Sequence, residues 1–444
     1  MQSLDLLSAV FRRHAVVRRV GRVRAISSTS VTVDGLSDVA GVGHRVSLGR
    51  SETVEGEVVT VAADVVQVMV DGDIGDLRIG EPARHLGHVE LYPSDAWLGR
   101  VVDGNGAPLD GQPLVQGDRA VPVVSPPPPA VARRALGARL STGYALFNTL
   151  MPIVRGQRLG LFSGSGVGKS SLMAAFARDV DADVIVIALV GERGREVNHF
   201  IRNVLGQKGL KRSVVVSSTS DQSPLARRRA ALAAMAVAEY FRDQGRHVML
   251  LLDSVTRLAE AHREIASSAG ETMSMRGFPA SLTGLLAGFC ERAGPGKDGQ
   301  GDITAIFTVL VSGSDMEEPV ADTLRGLLDG HIVMSREIAE RGRFPAVDVL
   351  QSVSRSLPDA AADEENALIL EARKVLSTYE ASEVMVRSGL YQIGSNPELD
   401  LAVALYPQLE AFFVARDDTV PASFERLKTM LTVPNEQDNM ASKP

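Results

Sequence analysis

The chain has 444 residues, 45% hydrophobic and 23% charged, which is enough for two or three domains with buried cores. Its net charge of −7 argues against nucleic acid as the main partner. A single cysteine, Cys290, excludes an intramolecular disulfide framework and fits a reducing cytoplasm. No apolar run approaches the roughly 20 residues that span a bilayer, and residues 1–13 lack the features of a signal peptide. We therefore expect a cytoplasmic protein.

The first predicted element is a segment at residues 1–19 in which apolar residues precede basic ones. The apolar residues are Leu4, Leu6, Leu7, Val10 and Phe11, and the basic residues are Arg12, Arg13, Arg18 and Arg19, with Arg22 and Arg24 continuing the basic run just beyond the segment. A short helix here would place an apolar stripe before a basic patch, which suits docking on a partner protein or on an anionic membrane surface. The alternative is a solvated chain end, because runs of charge are usually hydrated.

Residues 20–90 have the pattern of a small β-domain. Runs rich in β-branched residues occur at 31–33, 46–48, 57–61 and 65–70, and glycines separate them. Short strands at this spacing are typical of a small barrel or sandwich. We predict an N-terminal β-barrel.

Residues 91–358 predict an α/β domain, and residues 359–444 predict a helical one. The predicted strands are 159–162, 184–190, 214–216, 248–252 and 303–311, and the predicted helices between them are 192–205 and 226–243. This alternation indicates a parallel sheet with crossover helices. Near the C-terminus, apolar residues recur at helical spacing within 364–380. Asn396 and Pro397 there have the types of an N-cap and a first helical residue.

The strongest motif is a phosphate-binding loop between the first of these strands and the helix that follows. Its residues are Ser163, Gly164, Ser165, Gly166, Val167, Gly168, Lys169 and Ser170, with Ser171 next in the helix. Glycines let backbone N–H groups turn towards phosphate oxygens, and the helix N-terminus adds positive potential. Lys169 supplies charge for the outer phosphates, and the Ser170 hydroxyl suits a magnesium ion. The first position of the motif, usually glycine, is Ser163 here.

Two acidic residues follow buried strands and are therefore expected at the same sheet edge as Lys169. Asp253 is predicted to orient magnesium, often through water; the alternative is that it caps the helix beginning at Ser254. Glu192 is predicted to orient and polarise the water that attacks the γ-phosphate, with Arg193 adding charge near the phosphates. The alternative for this pair is a surface run of charges that starts a helix.

Several of these motifs resemble those of a known family. The runs at 191–196, 250–257 and 352–355 are similar to those of the catalytic family of rotary ATP synthases. The runs at 156–170, 221–225, 259–265 and 329–336 resemble more closely the type III protein export ATPases, in which the first loop position is commonly not glycine. Within this branch the flagellar ATPases are the nearest likeness and the virulence-associated ones come second. The resemblance extends from Gly21 nearly to the C-terminus.

The resemblance implies a fold and further site residues. The fold is α/β: a small N-terminal β-barrel, a central P-loop domain of the RecA-like type with a parallel sheet, and a C-terminal helical domain. Phe344 matches the aromatic residue that stacks on adenine, and a core phenylalanine is the alternative. Arg355 matches the arginine that enters the neighbouring subunit's site, and a structural ion pair is the alternative. One residue of the pair Phe412 and Phe413 is a further candidate to border the base.

The implied function is Mg²⁺-dependent ATP hydrolysis that energises type III export of flagellar protein subunits. The resemblance also implies a homo-hexameric ring, peripheral at the cytoplasmic face of the inner-membrane export gate. A regulatory export-apparatus protein would bind the N-terminal segment, and a stalk protein would occupy the ring pore. Export chaperones and unfolded cargo complete the implied partners, and no nucleic acid is expected.

Four other functions are compatible with parts of the pattern. A virulence-type (injectisome) secretion ATPase is the nearest. A proton-coupled rotary ATP synthase subunit is disfavoured by the export-type loop. A ring-shaped nucleic-acid translocase would need a basic surface bearing aromatic residues, and only Phe11 and Tyr92 precede Trp97. A non-catalytic nucleotide-binding scaffold is disfavoured because Lys169 and both acidic residues are present.

Overall fold

The computed structural model describes residues 18–274, 276–311 and 316–432. A β-barrel, a sheet flanked by helices and a group of C-terminal helices follow one another along the chain, as the fold class predicts. Most of the predicted docking segment, residues 1–17, lies outside the described residues, so its role stays a prediction. In the described part of the chain no helix is long and apolar enough to cross a membrane.

Six antiparallel strands close the N-terminal barrel in the order β1-β2-β5-β4-β3-β6. They are β1 (Val20–Ile26), β2 (Ser30–Asp34), β3 (Arg45–Leu48), β4 (Val54–Val61), β5 (Val65–Val70) and β6 (Pro82–Gly87). Val31, Val33 and Val68 alternate with more exposed neighbours and fill the interior, as the two-residue period of a strand requires. Strands β1 and β6 lie outside the four predicted runs because arginine and histidine interrupt their apolar residues.

The central sheet contains the strand that leads into the phosphate loop. Its strands are β8 (Val101–Val102), β10 (Arg158–Ser163), β11 (Val184–Glu192), β12 (Ser213–Thr219), β13 (Val248–Asp253), β14 (Gly294–Pro295), β15 (Asp302–Leu310), β16 (Gly330–Met334) and β17 (Val347–Ser354). Their order is β17-β16-β10-β15-β13-β11-β12-β8, with β14 paired to β15. A separate ribbon pairs β7 (Glu90–Leu91) with β9 (Val121–Pro122).

The sheet differs from the predicted all-parallel one at two strands. Strands β14 and β17 run antiparallel to β15 and β16. Strand β17 returns from the edge at which β16 ends, because the connection between Met334 and Val347 stays at that edge instead of crossing the sheet. The two ends of β17 therefore lie at opposite edges of the sheet.

Helices cover both faces of the sheet. They are α1 (Ala145–Asn148), α2 (Lys169–Asp179), α3 (Gly194–His199), α4 (Gly206–Leu210), α5 (Pro224–Asp243), α6 (Val255–Ser268), α7 (Ser281–Arg292), α8 (Pro319–Leu327), α9 (Arg336–Glu340), α10 (Asp363–Arg387), α11 (Pro397–Val414) and α12 (Val420–Leu431). Helices α2, α10, α11 and α12 share one apolar cluster, and α5, α6 and α7 share the cluster on the other face. The predicted Asn396 cap is confirmed, since its side chain accepts the Glu398 N–H at 3.0 Å.

The predicted helix at 192–205 begins later than expected. Glu192 ends β11, where it is paired with Thr219 of β12, and α3 starts at Gly194. A π-helical turn at Phe200–Leu205 then joins α3 to α4. Glu192 is thus held by a sheet rather than by a helix terminus.

The first turns of α5 attach the barrel to the sheet domain. Arg228 pairs with Glu57 of β4, and Arg229 pairs with Asp71, just after β5, at 2.9 Å and with Glu57 at 3.6 Å. Arg229 and Glu57 are 4% and 6% exposed, so these are buried ion pairs. Arg227, the residue before them, lines the cleft above the phosphate loop.

Candidate active site

The phosphate loop connects β10 to α2 as predicted. Gly166 and Gly168 have φ angles of +80° and +91°, a backbone region that other residues rarely adopt. Val167 between them is 1% exposed and anchors the loop in the core. Ser170 and Ser171 are exposed in the first turn of α2. The loop therefore presents its glycines, its two serines and a helix N-terminus on one surface.

Lys169 faces both acidic residues that the sequence predicts for this edge of the sheet. Its Nζ contacts Asp253 Oδ1 and lies 4.0 Å from Glu192 Oε1. Asp253 ends β13 with a side chain 4% exposed, and Glu192 ends β11 with a side chain 22% exposed. The three side chains come together because β10, β11 and β13 end at the same edge of the sheet.

The alternative role of Asp253 as a helix cap is wrong. Ser254 is the N-cap of α6, and its hydroxyl accepts the backbone N–H of Arg257 at 3.3 Å. Asp253 instead accepts a hydrogen bond at 2.7 Å from the hydroxyl of Thr308 on β15. The carboxylate is therefore held by side chains of the site itself.

Glu192 has the electrostatic environment of a general base. Burial raises the pKa of Glu192 to about 7; the negative charge of Asp253 adds to this rise, and Lys169 opposes it. A carboxylate with this pKa can accept a proton near neutral pH. The surface-charge alternative does not fit a side chain that is mostly buried between Lys169 and Glu196.

A cleft of about 690 Å³ opens above the loop. Its lining residues are Gly164, Ser165, Gly166, Gly168, Lys169, Ser170, Ser171, Gly191, Glu192, Arg193, Glu196, Ser220, Arg227, Arg257 and Leu310. Arg193 belongs to this lining, but its side chain is 69% exposed and its Nη1 is bonded to Glu196 Oε1 at 3.2 Å. It would have to change rotamer to reach a phosphate group. Its role at the γ-phosphate stays a prediction.

Two arginines of this cleft have no role in the sequence-based prediction. Arg257 packs against Gly191, where an added Cβ would lie 3.0 Å from its side chain, and its Nη1 bonds Glu260 Oε2 at 2.7 Å. Arg227 bonds Glu264 Oε1 at 2.9 Å. Arg257 is the last residue of the recognised run at 250–257. That position in the run is the only sequence feature that could have revealed it.

Phe344 lies beside the phosphate loop. Its ring carbon Cδ1 is 3.2 Å from the point that a Cβ on Gly168 would occupy, and the residue is 52% exposed. The alternative of a core phenylalanine is therefore wrong. A second contact joins the same segment to the loop, because Arg336 Nη2 donates to the Ser165 carbonyl at 3.3 Å. An open aromatic face next to the loop suits a nucleotide base.

Arg355 lies at the opposite edge of the sheet, just after β17. Its backbone N–H donates to the Asp329 carbonyl at 3.0 Å, and its Nη2 donates to the Arg325 carbonyl at 3.2 Å. Within residues 18–274, 276–311 and 316–432, no carboxylate forms an ion pair with it. The ion-pair alternative has no support among these residues, and the structure does not bring Arg355 to its own chain's loop.

Three further candidates are buried. Ser163 ends β10 with no exposed surface, and its Oγ has no hydrogen-bond partner among the described residues. Phe412 and Phe413 on α11 are 3% and 0% exposed, and the Arg343 guanidinium lies over the Phe413 ring at 5.0 Å. Contact of these three side chains with a nucleotide stays a prediction.

The donor set fits magnesium bound together with phosphate groups. No group of three or more His, Cys, Asp or Glu residues in the described ranges is arranged to hold a metal ion. Magnesium needs no such cage, because it keeps several waters and takes one or two protein ligands plus substrate phosphates. Ser170 and Asp253 both line a neighbouring pocket of about 450 Å³, and their hydroxyl and carboxylate supply such a pair.

Two family models match the chain in succession. The nucleotide-binding domain of the ATP synthase alpha/beta family matches residues 143–354, and the T3SS EscN ATPase C-terminal domain matches residues 361–432. The flagellum-specific ATP synthase of Caulobacter vibrioides is 44% identical over 401 residues, 88% of this chain and 90% of the relative. That of Salmonella typhimurium is 40% identical over 425 residues, 93% of each.

Solved structures match the fold as well. The assembled ATPase EscN from the type III secretion system of enteropathogenic E. coli has a TM-score of 0.86 at 34% identity, covering 93% of this chain and 100% of that chain. EscN in complex with its central stalk EscO has a TM-score of 0.85, with the same identity and coverage. The match therefore includes the barrel and the C-terminal helices as well as the nucleotide-binding domain.

Proposed function

This chain belongs to the family of flagellum-specific ATP synthases, the ATPases of type III export, and on that basis we propose that it hydrolyses Mg·ATP to energise the export of flagellar protein subunits. One observation carries the chemical part of this proposal: a phosphate loop, its lysine, a buried carboxylate and a partly buried one lie together at one sheet edge. ATP hydrolysis needs positive charge for the phosphates, a magnesium ligand and a water-activating base. Lys169, Asp253 and Glu192 are suited to these three tasks.

Each residue has a separate task in this proposal. The loop N–H groups and Lys169 bind the β- and γ-phosphates, and Phe344 stacks on the adenine. Ser170 and Asp253 would hold magnesium, which when bound would neutralise charge on the phosphate oxygens. Glu192 accepts a proton from water as the water oxygen bonds the γ-phosphorus and the bond to ADP breaks. Arg193 adds positive charge near the transferred group.

We also propose that the ATPase works as a homo-hexamer with active sites shared between neighbouring chains. The position of Arg355, remote from its own loop, supports a role at the neighbour's site. We further propose a stalk protein in the ring pore, a regulatory protein on residues 1–19, and work at the cytoplasmic face of the inner-membrane export gate. Export chaperones and unfolded cargo are the remaining proposed partners.

Phosphate release and nucleotide binding by two variants test the chemical part of this proposal. Lys169→Ala should bind ATP weakly and turn over none of it. Glu192→Gln should bind Mg·ATP like wild type but lose about 10²- to 10⁴-fold in rate, since only the proton acceptor is removed. Glu340→Gln, on the exposed helix α9, is the matched control and should keep full activity. Near-normal turnover by Glu192→Gln would contradict the assigned role.

A virulence-type secretion ATPase is the second candidate, favoured by the match of residues 361–432 to the EscN C-terminal domain. The two candidates differ in what cells lose without the gene. A flagellar ATPase predicts cells without filaments that do not swim. Cells that keep their filaments but fail to secrete virulence proteins would favour the second candidate.

A further inference from the structure

Thr308 is a buried hydroxyl beside the carboxylate proposed to hold magnesium. Its Oγ1 donates to Asp253 Oδ1 at 2.7 Å, and the residue has no exposed surface, so a nucleotide cannot touch it. We propose that Thr308 is a positioning residue for the ATPase: it fixes the Asp253 carboxylate in the orientation that receives magnesium. This inference rests on the proposed function of the site.

The pairing of strands within the sheet is sufficient to place Thr308 beside Asp253. Strand β15 lies between β10 and β13, and Phe307 is in register with Leu252, so Thr308 is level with Asp253. Side chains alternate along a strand, and Leu251 and Ile306 belong to the apolar cluster beneath α2. The side chains of Asp253 and Thr308 therefore project towards the face of the sheet that α2 covers.

Two donors converge on one oxygen of the carboxylate. Both the Thr308 hydroxyl and Lys169 Nζ contact Oδ1. A carboxylate accepts hydrogen bonds at about four lone-pair positions on its two oxygens. With Oδ1 engaged by both donors, Oδ2 is the oxygen available to magnesium or to a water bound to it.

Nucleotide binding gives Thr308 a task that Lys169 cannot perform. In the proposed mechanism Lys169 turns to the phosphates and leaves Asp253, whose side chain is 4% exposed. A buried carboxylate that loses a partner needs its remaining donor, because unsatisfied charged groups are costly in a protein interior. The Thr308 hydroxyl would stay on Oδ1, and bound magnesium would supply the counter-charge that the lysine no longer provides.

Magnesium titrations separate this role from a purely structural one. Full-length wild type, Thr308→Val and Thr308→Ser are titrated with MgCl₂ at a fixed concentration of a fluorescent ADP, and affinity for the same probe is measured in EDTA. Thr308→Val should need about 10- to 100-fold more Mg²⁺ for half-saturation, the range found when partners of metal ligands are lost. Its affinity in EDTA should equal that of wild type, and Thr308→Ser should restore the wild-type midpoint.

Thr304→Val is the matched control, because Thr304 is a buried threonine on the same strand whose hydroxyl bonds His247 and Gly156 instead. It should leave the Mg²⁺ midpoint unchanged. An unchanged midpoint in Thr308→Val, or an equal loss of affinity with and without Mg²⁺, overturns the inference. If Thr308→Val does not fold, Thr308→Cys replaces it under the same criteria. A wild-type protein that binds no nucleotide overturns the proposed function as well.

Discussion

The two ends of β17 carry functional candidates of opposite kinds. At its start, Phe344 lies against the chain's own phosphate loop, next to Gly168. At its end, Arg355 lies at the other edge of the sheet, where β16 begins rather than ends. Eight residues of strand at about 3.3 Å each separate the ends by about 25 Å. One chain therefore cannot bring both residues to the same nucleotide, so the role proposed for Arg355 requires a neighbouring copy.

Under the proposed sharing of active sites, β17 would contribute to two nucleotide sites, one at each of its ends. Arg355 is fixed through the backbone of Asp329, and the Asp329 carboxylate is held by Arg158 at 3.0 Å, on the first residue of β10. The far end of β10 is Ser163 and the phosphate loop. Strand β10 and the neighbouring strands β16 and β17 thus connect the sheet edge that carries the phosphate loop to the edge that carries Arg355.

The largest effect on ATP hydrolysis is expected from replacing Arg355, at the sheet edge opposite the phosphate loop. Arg355→Ala should bind ATP normally but lose about 10³- to 10⁵-fold in hydrolysis by assembled protein, the range for arginines that stabilise a transferring phosphoryl group. Arg325→Ala is the matched control, since it removes a neighbouring exposed charge while keeping the carbonyl that Arg355 contacts. Wild-type hydrolysis by assembled Arg355→Ala would show that the residue has no catalytic role.

A mixture of two inactive variants tests directly whether one chain's phosphate loop works with a neighbouring chain's Arg355. Arg355→Ala keeps a functional loop, and Lys169→Ala keeps a functional arginine. Mixed assemblies contain interfaces that combine one of each, so some phosphate release should return when subunits exchange. Mass measurement establishes that the assemblies are mixed. No activity in such assemblies would count against a shared site.

A smaller effect, on the KM for ATP, is expected from replacing Phe344 at the start of β17. Phe344→Ala should raise the KM for ATP by about 10-fold, since stacking a base on an aromatic ring contributes roughly 1–3 kcal/mol. The kcat should change little, and Phe344→Tyr should behave like wild type. Inorganic triphosphate, which has no base, tests the contact directly: its binding should be the same in Phe344→Ala and wild type. Weakened triphosphate binding would mean that the ring supports the loop instead.

An effect of similar size is expected from lowering the pH, and it concerns only Glu192 at the phosphate-loop edge of the sheet. Because the pKa of Glu192 is raised to about 7, its carboxylate is protonated as pH falls through that value and loses the ability to accept a proton. The kcat/KM, which reports on the free enzyme, should fall about 10-fold from its plateau at about pH 6. Phe344→Ala should show the same acid limb, because its ring carries no charge. A profile flat to about pH 5.5 would contradict Glu192 as the base.

Local sequence was sufficient for the parts of the site that depend on short-range rules. The phosphate loop follows from its glycine spacing, and Glu192 and Asp253 follow from lying at the ends of buried strands. The β-branched runs likewise indicated most of the barrel, and the five predicted strands of the sheet lie within a few residues of their predicted bounds. Strands β8, β14, β16 and β17 were not predicted. The locations of Phe344 and Arg355 came from family resemblance, because no local pattern marks them.

The other features of the site depend on which strands and helices are neighbours in the fold, and the sequence does not reveal this. Thr308 follows Asp253 by 55 positions and meets it only because β15 inserts between β10 and β13. Arg227 and Arg257 could not be predicted for the same reason, because they line the cleft only as a result of how α5 and α6 pack against the sheet. The antiparallel return of β17 also escaped prediction, since alternating strands and helices favour crossover connections.

The arginine run in the first turns of α5 couples the barrel to the sheet domain. Sliding the barrel against this helix would pull Glu57 and Asp71 away from Arg228 and Arg229, and leaving such largely buried charges unpaired is unfavourable. A load applied to the barrel is therefore transmitted to α5 before the contact yields. Arg227, one residue earlier, moves with that helix at the wall of the nucleotide cleft. Tension on the N-terminal domain would thus reach, through one helix turn, the cleft in which we propose that ATP binds.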